Sequence, residues 1–124
     1  MDGRIAMLEE HTKSQANPHW KDRIRAAIYE HKDQYINKWH IHHAENGGGQ
    51  MLICVGGRGY YQEWDKAPVE MTPGTVINIP ANIKHWHGAA PDSWFSHLAL
   101  EIPAENGKTE WCEPVSDEAY GKLQ

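Results

Sequence analysis

Thiols are scarce in this chain. Its two cysteines, Cys54 and Cys112, form no metal-type pair and are a weak basis for a disulfide. Basic charge is also short, with 12 Lys and Arg against 17 Asp and Glu and a net charge of −5. The densest basic segment, Lys21, Arg23 and Arg25, is too small to track a phosphate backbone, so no nucleic-acid partner is expected. No apolar run approaches the roughly 18 residues that span a bilayer, so no membrane partner is expected either. The opening MDGRIAMLEEHTK lacks the apolar core and small-residue cleavage site of a secretion signal, which makes the cytoplasm the expected location. Internal repeats, low-complexity tracts and dividing linkers are absent. The 124 residues, 40% apolar and 23% charged, amount to one soluble globular domain.

What the chain does have is turns, short β-like runs and histidine. Asn46-Gly47-Gly48-Gly49 reads as a loop, and Gly56-Gly57-Arg58-Gly59 as a hairpin turn. Thr72-Pro73-Gly74 reads as a type II turn, Pro80-Ala81-Asn82 as a turn with Asn in the left-handed region, and Ala89-Ala90-Pro91-Asp92 as a fourth. Between them lie runs rich in Val, Ile, Tyr and Trp: Gln50–Val55, Tyr60–Trp64, Thr75–Ile79, His85–Gly88 and Trp94–Ile102. Short strands at regular spacing predict an all-β sandwich or barrel. Ser116-Asp117-Glu118 marks a helix start near the C-terminus. The first 35 residues are ambiguous. Ile24, Ala27, Ile28 and His31 recur at helical spacing after Pro18, yet a strand over Arg25–Tyr29 fits as well.

Five of the nine histidines fall in two clusters. In a strand, His40 and His42 of Trp39-His40-Ile41-His42-His43 share one face and His43 takes the other. Two same-face imidazoles make a bidentate clamp for a divalent metal, although surface histidines would give the same pattern. His85-Trp86-His87 repeats the motif on another strand. Two such elements facing one small interior favour a metal site. His97 shares a strand face with Phe95 and Ala99, and alone it reads as a core histidine.

Residues His40 to Ala89 resemble the two motifs of the cupin superfamily. The second aligns through Gly74, Pro80-Ala81-Asn82 and His85, with Asn82 where glycine is usual and Ala89 where asparagine is usual. In the first, Gln34 replaces the glycine and the glutamate is missing from its spacing, because Glu45 comes too early. WHIHH, GGGQMLICVGGRGYYQEW, PGTVINIPANIKHWHGAAPDSWFSHLALE and EWCEPVSDEAYGKL resemble a narrower group, small single-domain bacterial metal cupins that include manganese-dependent hydroxynitrile lyases. The resemblance implies a cupin double-stranded β-helix, a jelly-roll-like barrel of two antiparallel sheets with short helical segments at the termini. It divides the chain into an N-terminal extension, 1–35, and a cupin domain, 36–124, with a short C-terminal helix.

Carried over residue by residue, the resemblance implies that His40, His42, Gln50 and His85 hold one divalent metal per chain. That metal is expected to be Mn²⁺, with Fe²⁺, Ni²⁺ or Zn²⁺ as alternatives. His87 and His97 then stand beside the open positions as acid/base candidates. Cys54, on the Gln50 face with Leu52, reads as a small buried hydrophobe. Three functions compete. The first is a metal-dependent lyase acting on a small oxygen-bearing substrate by Lewis-acid and histidine proton chemistry. The second is an Fe(II) dioxygenase, and the third a non-enzymatic metal- or ligand-binding cupin. The expected partners are a small-molecule substrate and a second copy of the chain in a homodimer.

Overall fold

The computed structural model describes residues 3–7, 25–32 and 35–123. The sequence readings at Pro18, Lys21, Arg23, Ile24 and Gln34 lie outside them. Two five-stranded antiparallel sheets carry the molecule. The first runs in the order β1 (Gly3–Met7), β2 (Arg25–His31), β10 (Phe95–Glu101), β5 (Gln50–Gly57), β8 (Val76–Ile79). The second runs β12 (Lys108–Trp111), β3 (His40–His43), β9 (His85–Ala89), β6 (Gly59–Glu63), β7 (Val69–Met71). A small ribbon pairs β4 (Asn46–Gly47) with β11 (Ala104–Glu105), and a single helix, α1 (Asp117–Gly121), follows among the described residues. This is the all-β architecture that the strand spacing predicts and the two-sheet jelly roll that the cupin resemblance implies.

Alternation along each strand decides what fills the space between the sheets. Leu52 and Cys54 of β5, Tyr61 of β6, Met71 of β7, Ile79 of β8, Ala89 of β9 and Phe95 and Ala99 of β10 form one apolar cluster. Cys54 is therefore a core residue, as its face predicts. The other face of the second sheet is covered too. Trp86 and Tyr60 join Trp39, Ala90 and Val115, with Tyr120 and Leu123 of the C-terminal segment packed against them. β9 is thus buried along its whole length. Two polar handles keep this layer in register: Trp86 Nε1 donates to Gln62 Oε1 at 2.9 Å, and Tyr120 Oη donates to the Ala89 carbonyl at 2.7 Å. Ser116 caps α1, its hydroxyl accepting from Ala119 N at 3.1 Å.

Two turn readings meet the structure differently. Gly74 has φ +96° and Thr75 N donates to Thr72 O at 2.8 Å, as a type II turn requires. Gly56–Gly59 is not a hairpin. β5 and β6 lie in different sheets, and this segment carries the chain across from one to the other. Gly57 makes the crossing possible, because φ is +68° and a Cβ there would sit 2.0 Å from the Trp94 carbonyl oxygen.

Residues 25–31 form a strand, not a helix. β2 pairs with β10 over seven registers, from Phe95↔His31 to Glu101↔Arg25, and β1 pairs with β2 on its far side. Pairing outweighs the helical spacing, because β10 offers a full ladder of backbone groups. The pairing also sets Tyr29 opposite His97 and His31 opposite Phe95.

Candidate metal centre

β3 and β9 meet at one antiparallel register, His40↔His85. That single pairing brings the two histidine motifs together. The rings of His40 and His85 lie 4.2 Å apart, His40 and His42 5.0 Å, and His42 and His85 5.4 Å. One nitrogen from each of the three lies within 4.8 Å of the others. His43 points away, as alternation requires, and its Nε2 lies 2.7 Å from Glu110 Oε1 at the surface.

The other ring nitrogen of each histidine is tethered. His40 Nδ1–H donates to the Lys38 carbonyl at 2.7 Å, and His85 Nδ1–H donates to the Ile83 carbonyl at 2.8 Å. A carbonyl can only accept, so both protons sit on Nδ1 and both Nε2 lone pairs are left for a ligand. His42 Nδ1 lies 3.3 Å from Thr109 Oγ1. His42 Nε2 and His85 Nε2 are buried with no hydrogen-bond partner among the described residues. So is Gln50 Oε1, at the start of β5. Orphaned acceptors of this kind are rare in folded proteins unless something else satisfies them. Three imidazole nitrogens and an amide oxygen form a neutral N/O donor set that fits a divalent first-row metal.

Burial holds the imidazoles neutral. It lowers His40 and His42 below the ordinary histidine value, and it takes His85 down to about 3, with His40 and His42 adding to the depression. A ligand histidine must be neutral to bind, so this environment prepares the donors.

A cavity of ≈ 280 Å³ opens beside the cluster, and His40, His42, Gln50, His87 and His97 all line it. The two acid/base candidates are in contact, with their rings 5.1 Å apart and edge to face. Neither touches the metal candidates closely: His87 is 6.0 Å from His40 and 6.2 Å from His85 by ring centres. His97 stacks on Phe95 at 4.9 Å and on Tyr29 at 5.4 Å. Both of its nitrogens are buried and unpartnered among the described residues. Burial, with His31 nearby, lowers it to about 3, and burial holds His87 well below the ordinary value. The β10–β5 register shifts between Ser96 and His97, so a bulge lies beside this residue.

Several wall residues were not legible as site residues. His31 stacks on His97 at 5.3 Å and on Tyr35 at 4.7 Å. The Tyr29-x-His31 alternation was the available signal, masked by the helical spacing around it. Trp111 sits on the rim, 61% exposed, with its ring 4.8 Å from His40. Asn37 approaches His87 from the segment before β3.

The chain matches no established family profile. It is 39% identical over 82 residues to a curated (R)-mandelonitrile lyase from Granulicella tundricola, a stretch that covers 66% of this chain and 60% of that one. The match thus spans less than two thirds of that relative. A cupin-like protein from Thermotoga maritima is 30% identical and superimposes with a TM-score of 0.77, covering 97% of this chain and 83% of its own. The polyketide cyclase RemF from Streptomyces resistomycificus, 16% identical, shares the fold with a TM-score of 0.71 over 96% of this chain and 76% of its own.

Proposed function

We propose that this chain, which belongs to the cupin family, is a divalent-metal-dependent lyase that cleaves small α-hydroxy compounds, with cyanohydrins as the first substrates to test. The carrying observation is the convergence of the His40, His42 and His85 nitrogens within 4.8 Å, beside a cavity that also holds His87 and His97. The relative named (R)-mandelonitrile lyase supports the choice of substrate. His40, His42, His85 and Gln50 would hold the ion, with Mn²⁺ as our first choice, and the bound ion supplies Lewis acidity to a substrate oxygen.

The rest of the chemistry falls to the chain's own residues. His97 is held neutral at pH 7 by burial and lines the cavity with both nitrogens unpartnered among the described residues, so it can accept the substrate's hydroxyl proton. The oxygen's electron pair then forms the carbonyl, the carbon–carbon bond breaks, and its pair leaves on cyanide. The histidinium returns its proton to that carbanion. Phe95 and Ala99, buried on the same face, keep bulk water from this path. We further propose that the working unit is a homodimer.

The test is cyanohydrin cleavage by the Mn²⁺-loaded protein, with the metal-free protein and His97→Ala as controls. A rate that needs both the metal and His97 supports the lyase. Equal rates in all three remove it and put the dioxygenase and ligand-binding readings in front.

A further inference from the structure

His87 is tied to one residue at three points. Asn37 N donates to the His87 carbonyl at 3.1 Å, His87 N donates to Asn37 Oδ1 at 2.9 Å, and Asn37 Nδ2 lies 3.2 Å from His87 Nε2. These bonds leave no freedom in how the amide is oriented. A backbone N–H can only donate, so the atom facing it is the amide oxygen. The atom facing the ring is therefore the NH₂ group, which can only donate in turn. His87 Nε2 must accept. A proton on Nε2, in the neutral ring or in the imidazolium, would set donor against donor. The ring's proton is thus on Nδ1, an atom that is buried and has no partner among the described residues.

The approach that delivers Asn37 depends on Gly88. Ala89 N donates to Tyr35 O at 2.8 Å and Ile36 bridges Gly88, so residues 35–37 run directly against β9. A Cβ on Gly88 would lie 2.5 Å from Ile36 Cα and 2.7 Å from the Tyr35 carbonyl oxygen. Only glycine lets the two backbones come this close.

We infer that Asn37 is a positioning residue that holds His87 in the Nδ1–H tautomer, so that His87 meets bound substrate as a hydrogen-bond donor and leaves His97 as the base. The second half rests on the lyase reading of the cavity, and the first half does not. The assignment separates two histidines that alternation alone makes equivalent. His87, with its acceptor nitrogen occupied, orients or stabilises an oxygen. His97, with both nitrogens unpartnered among the described residues, moves the proton.

Long-range ¹H–¹⁵N spectra of the metal-free protein near pH 8 test the tautomer directly, with His87 assigned by its loss in His87→Gln. A protonated Nδ1 with an unprotonated Nε2 is expected. An Nε2–H ring, or averaged shifts, would overturn the inference. Asn37→Asp replaces the NH₂ by an oxygen that can only accept, so the ring must turn its proton to Nε2. Asn37→Ala is the second variant, and there the shifts should move towards an average. In the Mn²⁺-loaded enzyme Asn37→Asp should lower kcat by about 10²–10⁴-fold, the scale of one misplaced acid/base group, with metal content unchanged. A reversed tautomer with unchanged kcat would overturn the donor role. Absence of cyanohydrin cleavage in the unsubstituted protein would refute the lyase reading instead, and the spectra alone would then decide the tautomer.

Discussion

Removing the imidazole of His85 takes away the one nitrogen that β9 contributes to the three-histidine cluster proposed to hold the ion. His40 and His42 stay adjacent on β3, but a two-histidine clamp with Gln50 holds a labile divalent ion poorly. His85→Ala should therefore lose most of its bound metal, read by elemental analysis after gel filtration. Because His85 is fully buried, a circular-dichroism melt must accompany it to show that the fold survives. Metal content equal to that of the unsubstituted protein would refute the ligand assignment. His97→Ala makes the opposite prediction. It should keep its metal and lose about 10²–10⁴-fold in rate, the usual contribution of one positioned acid or base. Gln50→Glu should keep the metal as well, but its added negative charge should lower the ion's Lewis acidity and with it the rate. The three variants together separate holding the ion from moving the proton.

At the scale of elements, legibility followed burial. β5, β8, β9 and β10 carry buried faces and lie between Gly- and Pro-rich turns, so alternation located them within a few residues. β12 is exposed at all four residues and offers no alternation, so nothing in its composition distinguished it from loop. It nevertheless brings Thr109 opposite His42 and Trp111 opposite His40. β2 was ambiguous for another reason: a helical and a strand period coexist in one stretch, and only the ladder with β10 decides between them. The cavity's second wall, Tyr29 and His31, was hidden with it. Asn82 was better read. It stands where glycine is usual in the second cupin motif and takes φ +68°. Its side chain also clasps the chain after β3, accepting from Ala44 N at 3.0 Å and donating to Ala44 O at 3.1 Å. Asn82→Ala should strain the turn and free both Ala44 groups, costing about 1–3 kcal/mol in a urea titration. An unchanged midpoint would mean that the clasp contributes nothing.

The whole molecule sets two further expectations. One concerns association. β2 and β1 cover the flank of β10 within the chain, so an edge open to pairing with a second copy lies at β1, outermost in the first sheet. Sedimentation should show a dimer at micromolar concentration, and a monomer alone would contradict the proposal. The other concerns acid. His85 and His97 are both about 3 in the folded protein, and burial lowers His31, His40, His42 and His87 as well. An unfolded chain restores all of them to about 6.5. Below that pH the unfolded state binds protons that the native state refuses, so stability is whole above about 6.5 and drains away as pH falls towards 3. Each fully buried histidine in this window contributes a slope of about 1.4 kcal/mol per pH unit, and His85 and His97 span most of it. A bound ion steepens the fall, because it stabilises only the folded chain and competes with protons for the same Nε2 atoms. Urea midpoints of the metal-free protein should thus be flat from pH 8 to 7 and drop progressively from pH 6 to 4. Replacing His97 by Gln should shallow the drop by removing one titrating ring while leaving the cluster's own contribution. A midpoint that held constant to pH 4 would mean that these rings are not buried in solution, and the neutral donor set proposed for the metal would fall with it.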